Sequence, residues 1–96
     1  MSIGELLKEK REEILQIAAK HGAYNVRIFG SVARGEDGPD SDVDLLLDVG
    51  SNHSSWFPAG LIIDLEDLLG RKVDVAEADN LHSCIRNRIL KEAVPL

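Results

Sequence analysis

The chain has 96 residues, 44% of them apolar, which suffices for a single hydrophobic core but not for two. Seventeen acids against eleven bases leave a net charge of -6, which argues against direct nucleic-acid binding through Lys and Arg, so that a polyanionic ligand would need a metal ion. No apolar run is long enough to span a bilayer, and the one cysteine, Cys84, has no internal disulfide partner; both features point to a reducing, cytoplasmic setting.

Ser2 followed by Glu5 reads as a capping box. Ile3, Leu7, Ile14 and Ala18 then mark the apolar stripe of one helix ending near Gly22, with the charged run Lys8 to Glu13 on its solvated face. Tyr24, Val26 and Ile28 alternate with Asn25 and Arg27 as a first strand that stops at Gly30. Residues 35–41 contain Gly38-Pro39 and read as a loop, and a second strand follows through Val43, Leu45 and Leu47. Residues 50–58 have no apolar period. A second helix carries Leu61, Leu65, Leu68 and Leu69 and closes at Gly70, Lys72 to Val75 is a short third strand, and Asn80 is placed to cap a last helix with the stripe Leu81, Ile85 and Ile89. Helices interleaved with strands, without repeat or linker, predict one α/β domain over residues 1–96: a three-stranded mixed sheet backed by helices.

The chemistry gathers around three of these segments. Side chains on a strand repeat every two residues, so Asp42 and Asp44 share a face with Cα atoms about 6.5 Å apart, while Val43, Leu45 and Leu47 take the other face. Asp74 brings a third carboxylate on another Val-rich strand. Aspartate is depleted in strands, and an unpaired carboxylate buried there is costly, a cost that a divalent ion removes. Oxygen-only donors, with no His or Cys nearby in sequence, suit Mg²⁺ or Mn²⁺ rather than zinc. Spacing alone leaves a second reading open, a strand-edge group of solvated acids. Gly30 permits a close backbone approach to a ligand, and the backbone N–H groups that follow it, with the Ser31 hydroxyl, can hold phosphate oxygens. Arg34, one turn further on, either adds a charge-assisted contact to a triphosphate or pairs at the surface with Glu36 or Asp37.

Three ordered segments, Gly30-Ser31-Val32-Ala33-Arg34-Gly35, Ser41-Asp42-Val43-Asp44-Leu45-Leu46 and Gly70-Arg71-Lys72-Val73-Asp74-Val75, together resemble the minimal nucleotidyltransferases of the DNA polymerase beta superfamily. The likeness extends into Asn80-Leu81-His82 and on through Ile89-Leu90-Lys91-Glu92-Ala93, which is similar to the family's last helix. The resemblance implies that Asp42 and Asp44 ligate two metal ions, that Asp74 ligates one of them and activates an attacking hydroxyl, and that Ser31 holds the terminal phosphates of a nucleoside triphosphate. It further implies a HEPN-domain toxin as partner, with AMP passed from ATP to a hydroxyl of that protein while this chain acts as antitoxin. Two other readings stay open: an antitoxin that neutralises by binding alone, and a catalytic subunit that modifies a small molecule. Nothing in the sequence settles the nucleotide or the oligomeric state, a homo-oligomer included.

The remaining side chains carry less. His21 falls in the last turn of the first helix, where positive charge suits the helix dipole, His53 in the irregular loop, and His82 at the start of the last helix. Trp56 and Phe57 are read as covering the core from its edge, with a stacking role toward adenine or a partner as the alternative, and Cys84 as a small core residue.

Overall fold

The computed structural model describes residues 2–38, 40–51 and 57–96; His53 and Trp56 lie outside them. Ser2 Oγ accepts the Glu5 N–H at 3.1 Å and starts helix α1 (Ile3–Glu9), and a kink at Lys10 separates it from α2 (Arg11–Lys20). The single helix expected over this stretch is therefore two. The backbone ladder continues across the kink, Lys10 N–H to Leu6 O and Ile14 N–H to Lys10 O. The six charged residues from Lys8 to Glu13, however, supply no buried side chain between Leu7 and Ile14 to hold that turn straight against the sheet.

Strand β1 (Ala23–Phe29) leads directly into a five-residue helix α3 (Gly30–Arg34), and β2 (Val43–Val49) follows. β1 and β2 run antiparallel, but the register slips between Tyr24 and Arg27, where Asn25 adopts φ +52°. This extra residue reverses the alternation upstream of it: Ala23 is buried and Tyr24 is 58% exposed, the opposite of the expected stripe. Helix α4 (Ala59–Leu69) buries Leu61, Leu65 and Leu69, stops at Gly70 in the left-handed region, and provides the crossover that lets β3 (Val73–Glu77) pair parallel to β2. A short 3₁₀ turn (Ala78–Asn80) takes up Asn80, so the last helix, α5 (Ser83–Glu92), begins after His82 rather than at Asn80.

The sheet has four strands, not the three expected, in the order β3-β2-β1-β4. The fourth, β4 (Val94–Pro95), pairs with Ile28 and Arg27. Two residues including a proline carry no periodic signal, and proline is tolerated there because β4 is an edge. Val43, Leu45 and Leu47 join α1, α2 and α4 in the main core on one face of the sheet, with Phe57 packed against it; Leu46, Ala78 and Ile89 form a second, smaller core on the other. Cys84 is exposed rather than in the core, because α5 meets the sheet only along its Ile89 side and leaves eight of its ten residues on the surface. No helix among the described residues is long and apolar enough to cross a membrane.

His21 does more than end α2. It is buried, and its Nε2 lies 2.8 Å from Asp64 Oδ2 on α4, joining the two helices behind the sheet. This hydrogen bond, followed by Lys20, holds the Asp64 carboxyl below the ordinary aspartate value. A depressed folded-state value means that ionised Asp64 contributes stability above the unfolded value and loses it as pH falls through the folded one. Asp64→Asn is expected to lower the melting temperature near neutral pH, with the difference from wild type closing once pH drops below the aspartate range. A scanning-calorimetry series against pH checks this.

Candidate functional site

The site is built by strand register. Phe29 on β1 stands opposite Asp44 on β2, and Asp44 stands opposite Asp74 on β3, so one row across three adjacent strands carries both carboxylates and ends one residue before Gly30. Period-two alternation puts Asp44 and Leu46 on the same face of β2. That face is divided in two: its downstream half is closed by Leu46, Ala78 and Ile89, and its upstream half holds the acids. Asp42 lies just before β2, half-buried, where the Val43 N–H donates to Lys72 O at 3.0 Å and fixes the approach of the two chain segments. Beyond Asp42 a depression of about 500 Å³ opens between Ser41 and the turn at Gly70 to Lys72.

Burial, followed by the charges of Asp74 and Asp42, pushes the Asp44 carboxyl above its ordinary value, while Arg34 acts in the opposite sense. Asp42 and Asp74 are thus each close enough to Asp44 to disfavour its charged form. Among the described residues no three carboxylate, imidazole or thiol side chains converge as a ready-made metal cage. The donor chemistry nonetheless fits a hard divalent cation: oxygen donors only, one of them desolvated and destabilised in its charged form by its neighbours.

Gly30 sits at φ +75°, and a Cβ placed there would overlap Asp44 Oδ2, so the residue must be glycine both for its backbone angle and for its contact with the carboxylate. Ser31 is the second residue of α3, half-buried, and its carbonyl accepts the Glu36 N–H at 2.9 Å. Arg34 closes α3 and is engaged: its Nε donates to Glu36 Oε2 at 2.9 Å and its guanidinium NH1 to Glu92 Oε1 at 2.6 Å. The surface pairing with Glu36 is therefore present, and no pairing with Asp37 accompanies it among the contacts of the described residues. The N–H of Gly30 itself donates to Glu92 Oε2 at 2.7 Å. Glu92 was missed by motif spacing, because a glutamate in the last turn of a charged helix has no pattern of its own. Its only signal was membership of the Ile89 to Ala93 stretch that resembles a family helix.

A family model described as a nucleotidyltransferase domain matches residues 7–96. A candidate protein adenylyltransferase of Methanocaldococcus jannaschii is 39% identical over 88 residues, covering 92% of this chain and 95% of its own, and the protein adenylyltransferase MntA of Thermococcus cleftensis is 36% identical over 94 residues, covering 93% and 95%. Among solved structures, a candidate minimal nucleotidyltransferase superposes with a TM-score of 0.85 at 44% identity, covering 97% of this chain and 95% of that one. A toxin–antitoxin structure with AMP-PNP superposes at 0.74 and 15% identity, covering 88% and 69%, a likeness of fold.

Two measurements follow from the crowding at Asp44. A raised folded-state value means that stability is fully present below the unfolded aspartate value and is lost as pH rises through the folded one. In chelator at neutral pH, Asp44→Asn is therefore expected to melt above wild type, the gain fading toward acid pH. Gly30 and Gly35 have similar angles, φ +75° and +73°, but only the first meets Asp44. Each alanine substitution should cost roughly 1 kcal/mol for the backbone angle, and Gly30→Ala distinctly more, in denaturant titrations.

Proposed function

The chain belongs to the nucleotidyltransferase-domain family, and on that premise we propose that it transfers AMP from ATP to a hydroxyl of a partner protein, as the antitoxin of a two-protein module whose toxin is a HEPN-domain protein. The observation that carries this reading is the register Asp44 to Asp74 with Gly30 closed onto Asp44, since it sets two carboxylates side by side next to the turn that leads into Ser31. The names of the relatives favour a protein acceptor, and the solved toxin–antitoxin pair with AMP-PNP favours an adenine nucleotide and a toxin partner.

Asp42 and Asp44 would hold Mg²⁺ or Mn²⁺, with Asp74 sharing one ion, and paired divalent ions supply charge stabilisation for the incoming and leaving oxygens of an in-line displacement at phosphorus. The work of the chain itself is positional. The Ser31 hydroxyl and the N–H groups that follow Gly30 face the terminal phosphates. Gly30, lacking a Cβ, lets the Asp44 carboxylate lie directly against the turn that precedes Ser31. Asp74, exposed on the edge strand, accepts the proton of the attacking hydroxyl from outside the sheet. The partner's own surface brings that hydroxyl, which accounts for catalysis by a domain with no second lobe among its described residues. A purely occluding antitoxin would have no use for acids crowded onto Asp44, whose charged form they and burial disfavour.

The test is to incubate the chain with ATP, Mg²⁺ and the product of the adjacent reading frame, and to weigh both proteins by mass spectrometry. One AMP added to the partner, abolished by Asp44→Asn, is the expected result; neutralisation that survives Asp44→Asn with no mass increment would establish occlusion instead. Asp74→Asn should bind the metal–nucleotide complex within about tenfold of wild type, about 1.4 kcal/mol, while transfer falls much further. Titration calorimetry beside single-turnover transfer separates the two effects.

A further inference from the structure

We infer that Glu92 is a positioning residue for the nucleotide-binding turn, a brace from α5 whose carboxylate spans α3 from its first residue to its last and holds Gly30–Ser31 against Asp44. This role rests on the nucleotide-binding reading above. Helix α3 has only five residues, far fewer than a helix needs to persist without tertiary support, and both its flanks turn on left-handed glycines, Gly30 and Gly35. Its geometry must be imposed from outside. The two oxygens of Glu92 do this from opposite ends: Oε2 accepts the Gly30 N–H at 2.7 Å and Oε1 accepts from the Arg34 guanidinium at 2.6 Å. Both contacts are charge-assisted, and the Glu92 side chain is only 16% exposed against 44% for Arg34, so the buried end of the pair is the one that touches the turn.

Stability alone is a poor account of this arrangement. Glu92 adds negative potential at Asp44, which is already crowded by Asp42 and Asp74, and a carboxylate near a site for a triphosphate opposes binding unless it contributes something else. Arg34 offsets part of that charge. Its guanidinium is already engaged by both Glu36 and Glu92, which assigns Arg34 to the brace rather than to direct capture of phosphate. Sequence order supports the same division: Gly30 and Arg34 meet a residue 62 and 58 positions away, so the contact forms only when α5 is docked through Ile89.

The experiment measures Mg²⁺·ATP affinity, melting temperature and hydrogen exchange at the Gly30 amide for wild type, Glu92→Ala, Glu92→Gln, Arg34→Ala and the double variant Arg34→Ala/Glu92→Ala. Glu92→Ala is expected to weaken Mg²⁺·ATP by at least roughly tenfold, the loss of one hydrogen bond to a charged group, and to speed exchange at Gly30. Glu92→Gln, which keeps an oxygen for the Gly30 N–H, should recover the exchange protection and part of the affinity. The double variant should bind no worse than the weaker single one, as expected of residues acting as one unit. Losses that multiply in the double variant would make Arg34 an independent phosphate contact and overturn the assignment. So would Glu92→Ala variants with lowered melting temperature but unchanged affinity and Gly30 exchange. Should Glu92→Ala fail to fold, Glu92→Gln and Arg34→Ala decide by the same readouts. Failure of wild type to bind Mg²⁺·ATP sinks the nucleotide reading and this role with it, whereas normal binding by wild type and by Glu92→Ala alike removes the role of Glu92 alone.

Discussion

The parallel pairing of β2 with β3 sets two carboxylates side by side, and most of the molecule can be understood as the means of tolerating that. Asp44 and Asp74 are register partners on neighbouring strands. Like charges directly opposite one another destabilise a sheet, so the pairing must be held by something else. It is held by the pairs on either side of it in register, Val43 with Val73 and Leu45 with Val75, of which three residues are buried in the main core and Val75 packs partly buried against it. Fully burying side chains of this size stabilises by about 1.5 to 3 kcal/mol each, enough to outweigh repulsion between partly solvated acids. The acids are thus held in place by their neighbours on the opposite face.

The same alternation explains why the site is open and the rest of its face is not. Two positions downstream of Asp44, Leu46 is fully buried beneath Ile89 and Ala78, so α5 ends its cover where the acids begin. Its last turn then reaches sideways to α3 through Glu92. Helix, turn and carboxylate row are therefore linked in a short physical chain: Ile89 packs α5 on Leu46, Glu92 in its last turn bonds Gly30, and Gly30 leaves no room for a Cβ beside Asp44.

Much of this was legible from residues alone, and the exceptions have physical causes. The carboxylates Asp42, Asp44 and Asp74, with Gly30 and Ser31, were visible because Asp in a Val/Leu strand and Gly at a strand end each break a local preference. Their convergence was implied by the family resemblance; the strand register sets Asp44 beside Asp74 and one residue from Gly30. β4 was invisible, since two residues cannot show a period. The reversal at Tyr24 was hidden because a bulge depends on the partner strand, not on the sequence of β1. The kink at Lys10 and the exposure of Cys84 reflect what the helices pack against, which periodicity does not report. Glu92 illustrates the general difficulty: its importance lies entirely in two partners some 60 residues away in sequence.

That separation has a consequence for the order in which the protein is made. Synthesis delivers Gly30 and Ser31 early, then Asp42 and Asp44, then Asp74 after the crossover, and Glu92 after all of them. The β1–β2 hairpin can close while the chain is still emerging, because its strands are near neighbours, but the parallel strand and the brace must wait for distant segments. The Gly30–Ser31 turn is among the first parts of the candidate site to leave the ribosome, and its contact with Glu92 is among the last to form. A nascent chain therefore lacks this brace until α5 has docked.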